Sequence, residues 1–529
     1  MRYLVGAIAS FVVFATPAHA EWWEAKTDHF IVYSESSQSD ARNFARDLEQ
    51  FDMSLRSLQN IKFSPATSDS RRLTVFRFGD TGDIGRLAGS SGVAGFYIPR
   101  LGGSVSFTPA REGLSEAGSI TARRRDSRTN LDPKSVLLHE YGHHFMFQHF
   151  SAAYPSWYVE GFAETAATIK MKPDGSFHVG DPPQYRSDAI FSGMMASAKD
   201  MLTSTDRPDF IDVYSHYVTG WLLNHYLTFG GTRPGQLGTY LRLINEGTTP
   251  ANAAKQAFGD LNKLDSELIR YRNSRRLGGA DVKPANFVPP SVAMRRLAPD
   301  EEAIMEVTAR TKRGVDKKRA GDVARDARAV AARYPGSPAV QLELAEAELD
   351  LSDFQPQNLG QAEAAADRVL AARPTSVEAM ILKGRVHLER GKASKNQNEL
   401  ATARTWFAKA NEEDPEHPAP LYYNYLTYYE GGGTIPESAL VGLERAYTFA
   451  PFDSELRVVL TRQLLAEKKG DLARSVLMPV AISPHESKGA KKMREVLDLI
   501  DSKKVDEAYK KLAAEMAEQE RKRKAGDDD

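Results

Sequence analysis

Two histidines four residues apart flank a glutamate in His139-Glu140-Tyr141-Gly142-His143. On an α-helix, positions i and i+4 share a face, so both imidazoles can point at one ion while Glu140 is turned toward a water bound to it. Two nitrogen ligands and a base then come from one turn. The five-residue pattern alone is a weak signal, so its surroundings carry the weight. Seventeen residues after His143 stands Glu160, inside Pro155-Ser156-Trp157-Tyr158-Val159-Glu160-Gly161-Phe162-Ala163-Glu164. A second helix starting there and running antiparallel to the first, joined through 151–155, brings the Glu160 carboxylate against the imidazoles as third ligand. Three protein ligands leave one position of a tetrahedral zinc open to water, as in catalytic rather than closed structural sites. Such a zinc acidifies its water and polarises a carbonyl, while Glu140 takes the proton and passes it to a leaving amine, the steps of amide hydrolysis.

Two blander readings compete. The histidines could sit on a polar helix face without metal, or the fold could persist with catalysis lost, leaving a non-catalytic scaffold that works through binding. His144 projects about 100° away from His143 on the helix and reads as a packing residue. His149 and His225 read as ordinary. The chain has no cysteine, so thiolate ligands and nucleophiles are excluded, and any metal must rest on His, Asp or Glu.

The elements that would position these groups follow from periodicity. Residues 29–34, 73–78, 95–98 and 104–107 read as strands and 40–58 as a helix, an α/β beginning. The strand over 103–107 is a candidate sheet edge for pairing an extended substrate. From Asp132 the pattern turns helical: Asp132 can cap, Pro133 suits the first helical position, and an apolar-rich run continues to Phe150. Further helices fit 156–170, 212–229 and 235–245. Between 275 and 300 the chain is richer in Pro and Gly, which predicts a boundary. The polar stretch 111–130, with Arg123-Arg124-Arg125, reads as a solvated loop.

H-E-x-x-H followed by W-x-x-E-G-x-A-E resembles the gluzincin metallopeptidases, in which the Glu of the E-G pair is the third zinc ligand. The sixteen residues between His143 and Glu160 are fewer than in the best-known members and closer to the peptidase-MA-like group. Trp23-Glu24-Ala25-Lys26-Thr27-Asp28-His29-Phe30 and Tyr217-Val218-Thr219-Gly220-Trp221-Leu222-Leu223-Asn224-His225-Tyr226-Leu227 are similar to bacterial exported proteins of that group, which usually continue into tetratricopeptide repeats. The resemblance implies an α+β zincin-like domain that hydrolyses peptide or protein substrates with Zn2+. It implies Glu164 as the carboxylate that orients a zinc-bound imidazole, and Tyr217 as the phenol that stabilises the oxyanion. The exopeptidase signature G-x-M-E-N is absent, which removes support from an aminopeptidase reading.

Beyond residue 318 the pattern repeats. Tyr334-Pro335-Gly336-Ser337-Pro338, Arg373-Pro374-Thr375-Ser376, Asp414-Pro415-Glu416-His417-Pro418 and Ala450-Pro451-Phe452-Asp453 each end one helix and open another, and their first prolines are 39, 41 and 36 residues apart. The steps are slightly longer than a tetratricopeptide helix pair. Ala327/Ala331, Ala362/Ala366 and Ala403 with Phe407 would let paired helices approach closely. This predicts an all-α tetratricopeptide-like solenoid that binds a protein partner, with an unrelated helical bundle as the alternative.

The expected organisation is therefore an export signal over 1–20, an N-terminal α/β part over 21–128, a helical zinc-binding part over 129–276, a linker over 277–317, repeats over 318–485 and a charged tail over 486–529. The signal rests on Arg2, an apolar stretch too short to cross a bilayer, and Ala18-His19-Ala20, which predicts a periplasmic or secreted chain beginning at Glu21. From Ser502 the tail, dense in Lys, Glu and Ala, predicts a solvated helix fraying before Asp527-Asp528-Asp529. With 69 basic and 70 acidic side chains there is no field toward nucleic acid or an anionic membrane, and no later segment reads as transmembrane.

Overall fold

The computed structural model describes residues 21–90, 93–111, 133–150, 152–193, 195–204, 211–274, 277–285, 287–482 and 488–526. The expected export signal, Arg123–Arg125, the Asp132 cap and the terminal aspartates lie outside them. The chain is mostly helical with a small mixed sheet: an α+β region followed by a helical region.

The sheet holds β1 (Trp22–Lys26), β2 (Phe30–Glu35), β3 (Leu73–Arg77), β4 (Phe96–Ile98), β5 (Val105–Thr108) and β9 (Ala293–Arg296), in the order β4-β5-β3-β2-β1-β9. The pairs β2/β3 and β3/β5 are parallel, and the rest are antiparallel. Alternate side chains face opposite ways along a strand. Phe30, Val32, Leu73 and Val75 therefore pack on α1 (Gln38–Leu58) and α3 (Pro133–His149), while Phe76 and Phe107 pack on the other face with Ile84 of α2 (Thr81–Ala88) and Met305. The strand expected at the edge, 103–107, is flanked on both sides by β4 and β3. The edge falls to β4, too short to show an alternating pattern of its own.

The helices that follow are α4 (Ser156–Ala167), the short α5 (Ser187–Ser192) and α6 (Ala198–Leu202), then α7 (Val213–Phe229), α8 (Gln236–Asn245), α9 (Pro250–Phe258) and α10 (Leu261–Asn273). A three-stranded sheet joins β6 (Lys170–Met171), β7 (Phe177–Val179) and β8 (Ala280–Val282). The expected linker 277–317 is thus corrected. Its Pro- and Gly-rich sequence supplies β8 to this sheet and β9 to the larger one, then α11 (Pro299–Arg313), which covers the sheet face. Backbone pairing holds edge strands that carry little apolar periodicity.

The helical region runs through α12 (Lys317–Arg333), α13 (Pro338–Ser352), α14 (Leu359–Ala372), α15 (Val377–Ser394), α16 (Gln397–Glu413), α17 (Pro418–Gly431), α18 (Glu437–Phe449), α19 (Ser454–Ala466), α20 (Gly470–Ala481), α21 (Lys488–Asp501) and α22 (Val505–Ala525). The four proline-bearing turns share one construction. Ser337, Ser376, His417 and Asp453 each cap the following helix by accepting a backbone N–H, and each donates its own N–H to the carbonyl three residues back. Ala327, Ala362, Ala366 and Ala403 are buried where paired helices meet.

Helix α22 differs from expectation. It docks instead of standing free in solvent: Ala508 and Leu512 are fully buried, Arg523 pairs with Asp353, and the Lys317 ammonium donates to the Ala525 carbonyl at 3.0 Å. Apolar residues spaced four apart on an otherwise charged helix were enough to bury one stripe. One hydrophobic core runs from Ala153 and Trp157 through Trp221 and Tyr240 to Leu456 and Leu512, so the two regions share an interior. No helix among the described residues is long and apolar enough to cross a membrane.

Candidate metal centre

Three helices meet at residues without bulk. Gly142 of α3 lies against Ala163 of α4, where a β-carbon would sit 3.2 Å from the Ala163 Cα. A β-carbon on Gly161 of α4 would collide with the carbonyl oxygen of Gly220 on α7, and one on Gly220 would come within 2.7 Å of the Trp157 carbonyl oxygen. Asn224 fastens the crossing by donating to the Gly161 carbonyl and to Thr165 Oγ1, both at 3.1 Å. The small residues inside the two motifs thus let their polar neighbours converge.

His139 Nε2 and His143 Nε2 are 3.1 Å apart, and Glu160 Oε2 lies 3.3 Å from the first and 3.6 Å from the second. A tetrahedral zinc with bonds of about 2.0–2.1 Å requires donor atoms about 3.3–3.4 Å apart. The triangle fits that ion. Glu160 is 2% exposed, and among the described residues neither of its oxygens accepts a hydrogen bond of good geometry. A buried carboxylate is costly unless a charge compensates it. Burial pushes the Glu160 carboxyl up, yet the two imidazoles outweigh it and hold the group well below the usual range. Burial likewise lowers His139, but Glu160, Glu164 and Glu140 around it prevail and raise it to about 9. This electrostatic setting accepts positive charge at the point where the three donors meet.

His29, Glu49 and Asp52 form a second buried cluster of metal-binding residue types. Its donors are already committed. His29 Nδ1 is 2.6 Å from Glu49 Oε1, its Nε2 is 2.9 Å from the Ser64 carbonyl, and Asp52 accepts from Arg56 and, at 2.7 Å, from the Tyr141 hydroxyl. Because Tyr141 follows Glu140, the cluster anchors α3 to α1. This is the structural use of the His29 motif.

Glu164, 1% exposed, stands 4.0 Å from His139 Nδ1, an ion-pair separation longer than the direct hydrogen bond implied for an orienting carboxylate. It is itself held by Tyr185 Oη at 2.6 Å and by Arg186 through Nε at 3.1 Å and Nη2 at 2.9 Å. The Arg186 guanidinium also lies over the Tyr217 ring at 4.8 Å and the Tyr214 ring at 5.0 Å. Tyr217 comes to 6.1 Å, ring centre to ring centre, from His139. Burial, with Glu160, Glu140 and Glu164 nearby, raises its phenol far above its ordinary value, so it remains a proton donor. Tyr185 and Arg186 are neighbours of the cluster that sequence reasoning missed, since they stand in a short Pro-led turn without periodicity.

Glu140 is half-buried and lines a pocket of about 150 Å3 beside the triad, together with His143 and Phe147. His144 does not join the triad. Its Nδ1 is 2.8 Å from Tyr97 Oη, and burial brings it down to about 3, leaving it neutral. His225 is packed between the Gly180 carbonyl at 2.7 Å and the Tyr271 hydroxyl at 2.9 Å. Trp221 is a core residue. No protein-family model matches this chain, and no curated protein matches it significantly.

Proposed function

We propose that this chain is an exported zinc-dependent hydrolase of peptide bonds, a gluzincin-like domain joined to a tetratricopeptide-like solenoid. The observation that carries the reading is the triangle of His139 Nε2, His143 Nε2 and Glu160 Oε2 at 3.1, 3.3 and 3.6 Å, with Glu140 adjacent on the same helix. The four proline-bearing turns support the solenoid, and the first twenty residues support export to the periplasm or beyond.

His139, His143 and Glu160 would hold the zinc, and the chemistry it would supply there is Lewis acidity toward the scissile carbonyl and a water. Glu140 accepts the proton from the attacking water and delivers it to the leaving amine. The Tyr217 phenol, kept protonated by burial and neighbouring carboxylates, donates to the oxygen that gains charge. Glu164, locked by Tyr185 and Arg186, biases the His139 ring from 4.0 Å.

The test is the zinc content of the purified mature chain, joined to a peptide-library digest by wild type and Glu140→Gln. One zinc per chain in both proteins, with cleavage reduced about a hundredfold or more in the variant, is the expected result. Absence of stoichiometric zinc, or equal cleavage by both proteins, would refute the proposal and leave a binding scaffold.

A further inference from the structure

The pocket beside Glu140 has walls from two distant parts of the chain. Its near wall is Glu140, His143 and Phe147 on α3, with Tyr97 and Pro99 at the edge strand β4. Its far wall is Pro451 and Phe452 in the turn before α19, with Pro479 and Val480 at the end of α20. More than three hundred residues separate the walls in sequence.

The lining specifies what fits. Phe147, Phe452, Pro451, Pro479, Val480 and Pro99 present carbon beside Glu140, His143 and Ser454, and the other two polar groups, Tyr97 and Arg457, are engaged elsewhere. Tyr97 Oη is 2.8 Å from His144 Nδ1 and donates to Ser104 at 3.1 Å. Arg457 is 2% exposed and spends its guanidinium on the Pro451 carbonyl, the Val476 carbonyl at 3.0 Å and the Tyr447 hydroxyl at 3.2 Å. It therefore positions the far wall and is not free to meet an anion. Glu140 is the charge left facing the space, and it disfavours acidic occupants. An apolar cavity of about 150 Å3 is the size that binds one benzene ring. This pocket has about 150 Å3, room for one large side chain.

The far wall is also fixed in place. Asp453 caps α19 through the Leu456 N–H at 2.8 Å, and the Phe452 ring packs on His144 at 5.3 Å. The core shared by Trp157, Trp221 and Leu456 ties α19 to the metal-bearing helices. A pocket built this way discriminates by size.

We infer that Phe452 and Val480 of the helical region complete the substrate pocket and select one large apolar side chain next to the scissile bond. This rests on the proposed hydrolase reading, so its test needs an arm independent of zinc. In that arm, fluorobenzene is titrated into the metal-free full-length chain and followed by 19F NMR, for wild type, Phe452→Trp and Val480→Trp, with folding checked by circular dichroism. In the second arm, the zinc-loaded proteins digest a peptide library. The expected result is saturable fluorobenzene binding by wild type, weakened about tenfold or more in each folded variant. The library preference should move by a similar factor from Phe and Leu toward Ala and Gly. Because Phe452 also packs on His144, Val480→Trp keeps the test decisive if the first variant misfolds. Undiminished fluorobenzene binding in folded Val480→Trp, or an unchanged library preference, overturns the inference while leaving the hydrolase intact. Saturable fluorobenzene binding that the variants abolish, with no peptide cleaved by zinc-loaded wild type, refutes the hydrolase and removes the substrate role with it.

Discussion

Gly161 and Gly220 meet backbone to backbone, with the Gly220 carbonyl where a Gly161 β-carbon would stand. The contact sets how far Glu160, one residue earlier, reaches toward His139 and His143. Gly161→Ala must push α4 off α7. Overpacking of this kind costs about 1–3 kcal/mol. The expected outcome is a lower Tm together with weaker zinc binding by titration, while Gly433→Ala, with nothing near its β-carbon position, leaves zinc affinity unchanged.

Arg186 is the partner of a carboxylate that is 1% exposed. Arg186→Met takes the guanidinium from Glu164 and leaves it the Tyr185 hydroxyl, and breaking a buried pair costs about 3–5 kcal/mol. Arg186→Lys should rescue little, because an ammonium neither forks onto Glu164 nor stacks on Tyr214 and Tyr217. Chemical denaturation of both variants checks this. A double variant with Glu164→Gln should lose less than the sum of the two singles.

Two groups contribute stability that is lost as pH rises from about 4 to 8, opposite in sign to His144, whose lowered pKa costs stability as pH falls below 6.5. Burial raises Asp453 to about 6, so the folded chain holds a proton there that the unfolded chain releases near the ordinary carboxylate pKa. Stability is lost across that window. Burial lowers His29, but Glu49 and Asp52 outweigh it and raise the imidazole above 6.5. Its contribution is complete below 6.5 and disappears as pH passes the raised value. Thermal melts against pH for wild type and Asp453→Asn, which keeps a capping side chain, check this: the Tm difference between them should shift in favour of the variant as pH rises from about 4 to 6.

Helix α22 carries Ala508 and Leu512 into the shared core. Removing residues 503–529 should lower Tm by several degrees and raise binding of a hydrophobic dye, since the stripe it covers becomes solvent-exposed. Unchanged melting and dye binding would show that the docked helix contributes nothing to the fold.

The convergence of His139, His143 and Glu160 was legible because His139 and His143 share a face by periodicity alone, and the segment opening at Pro155 read as a second helix carrying Glu160. The proline turns were equally readable, since Pro, Gly and a capping side chain act through local backbone geometry. Arg186, the Tyr141–Asp52 anchor and the wall formed by Phe452 and Val480 had no local signature. Nor did the pairing of β8 with β7 and of β9 with β1, in a stretch that read as linker. Sequence alone determined which residues could hold a metal and which could move a proton, because those are properties of side-chain type and short spacing. Only the tertiary structure decided which elements pack beside them, because burial and pairing join residues hundreds of positions apart through contacts that no local periodicity records.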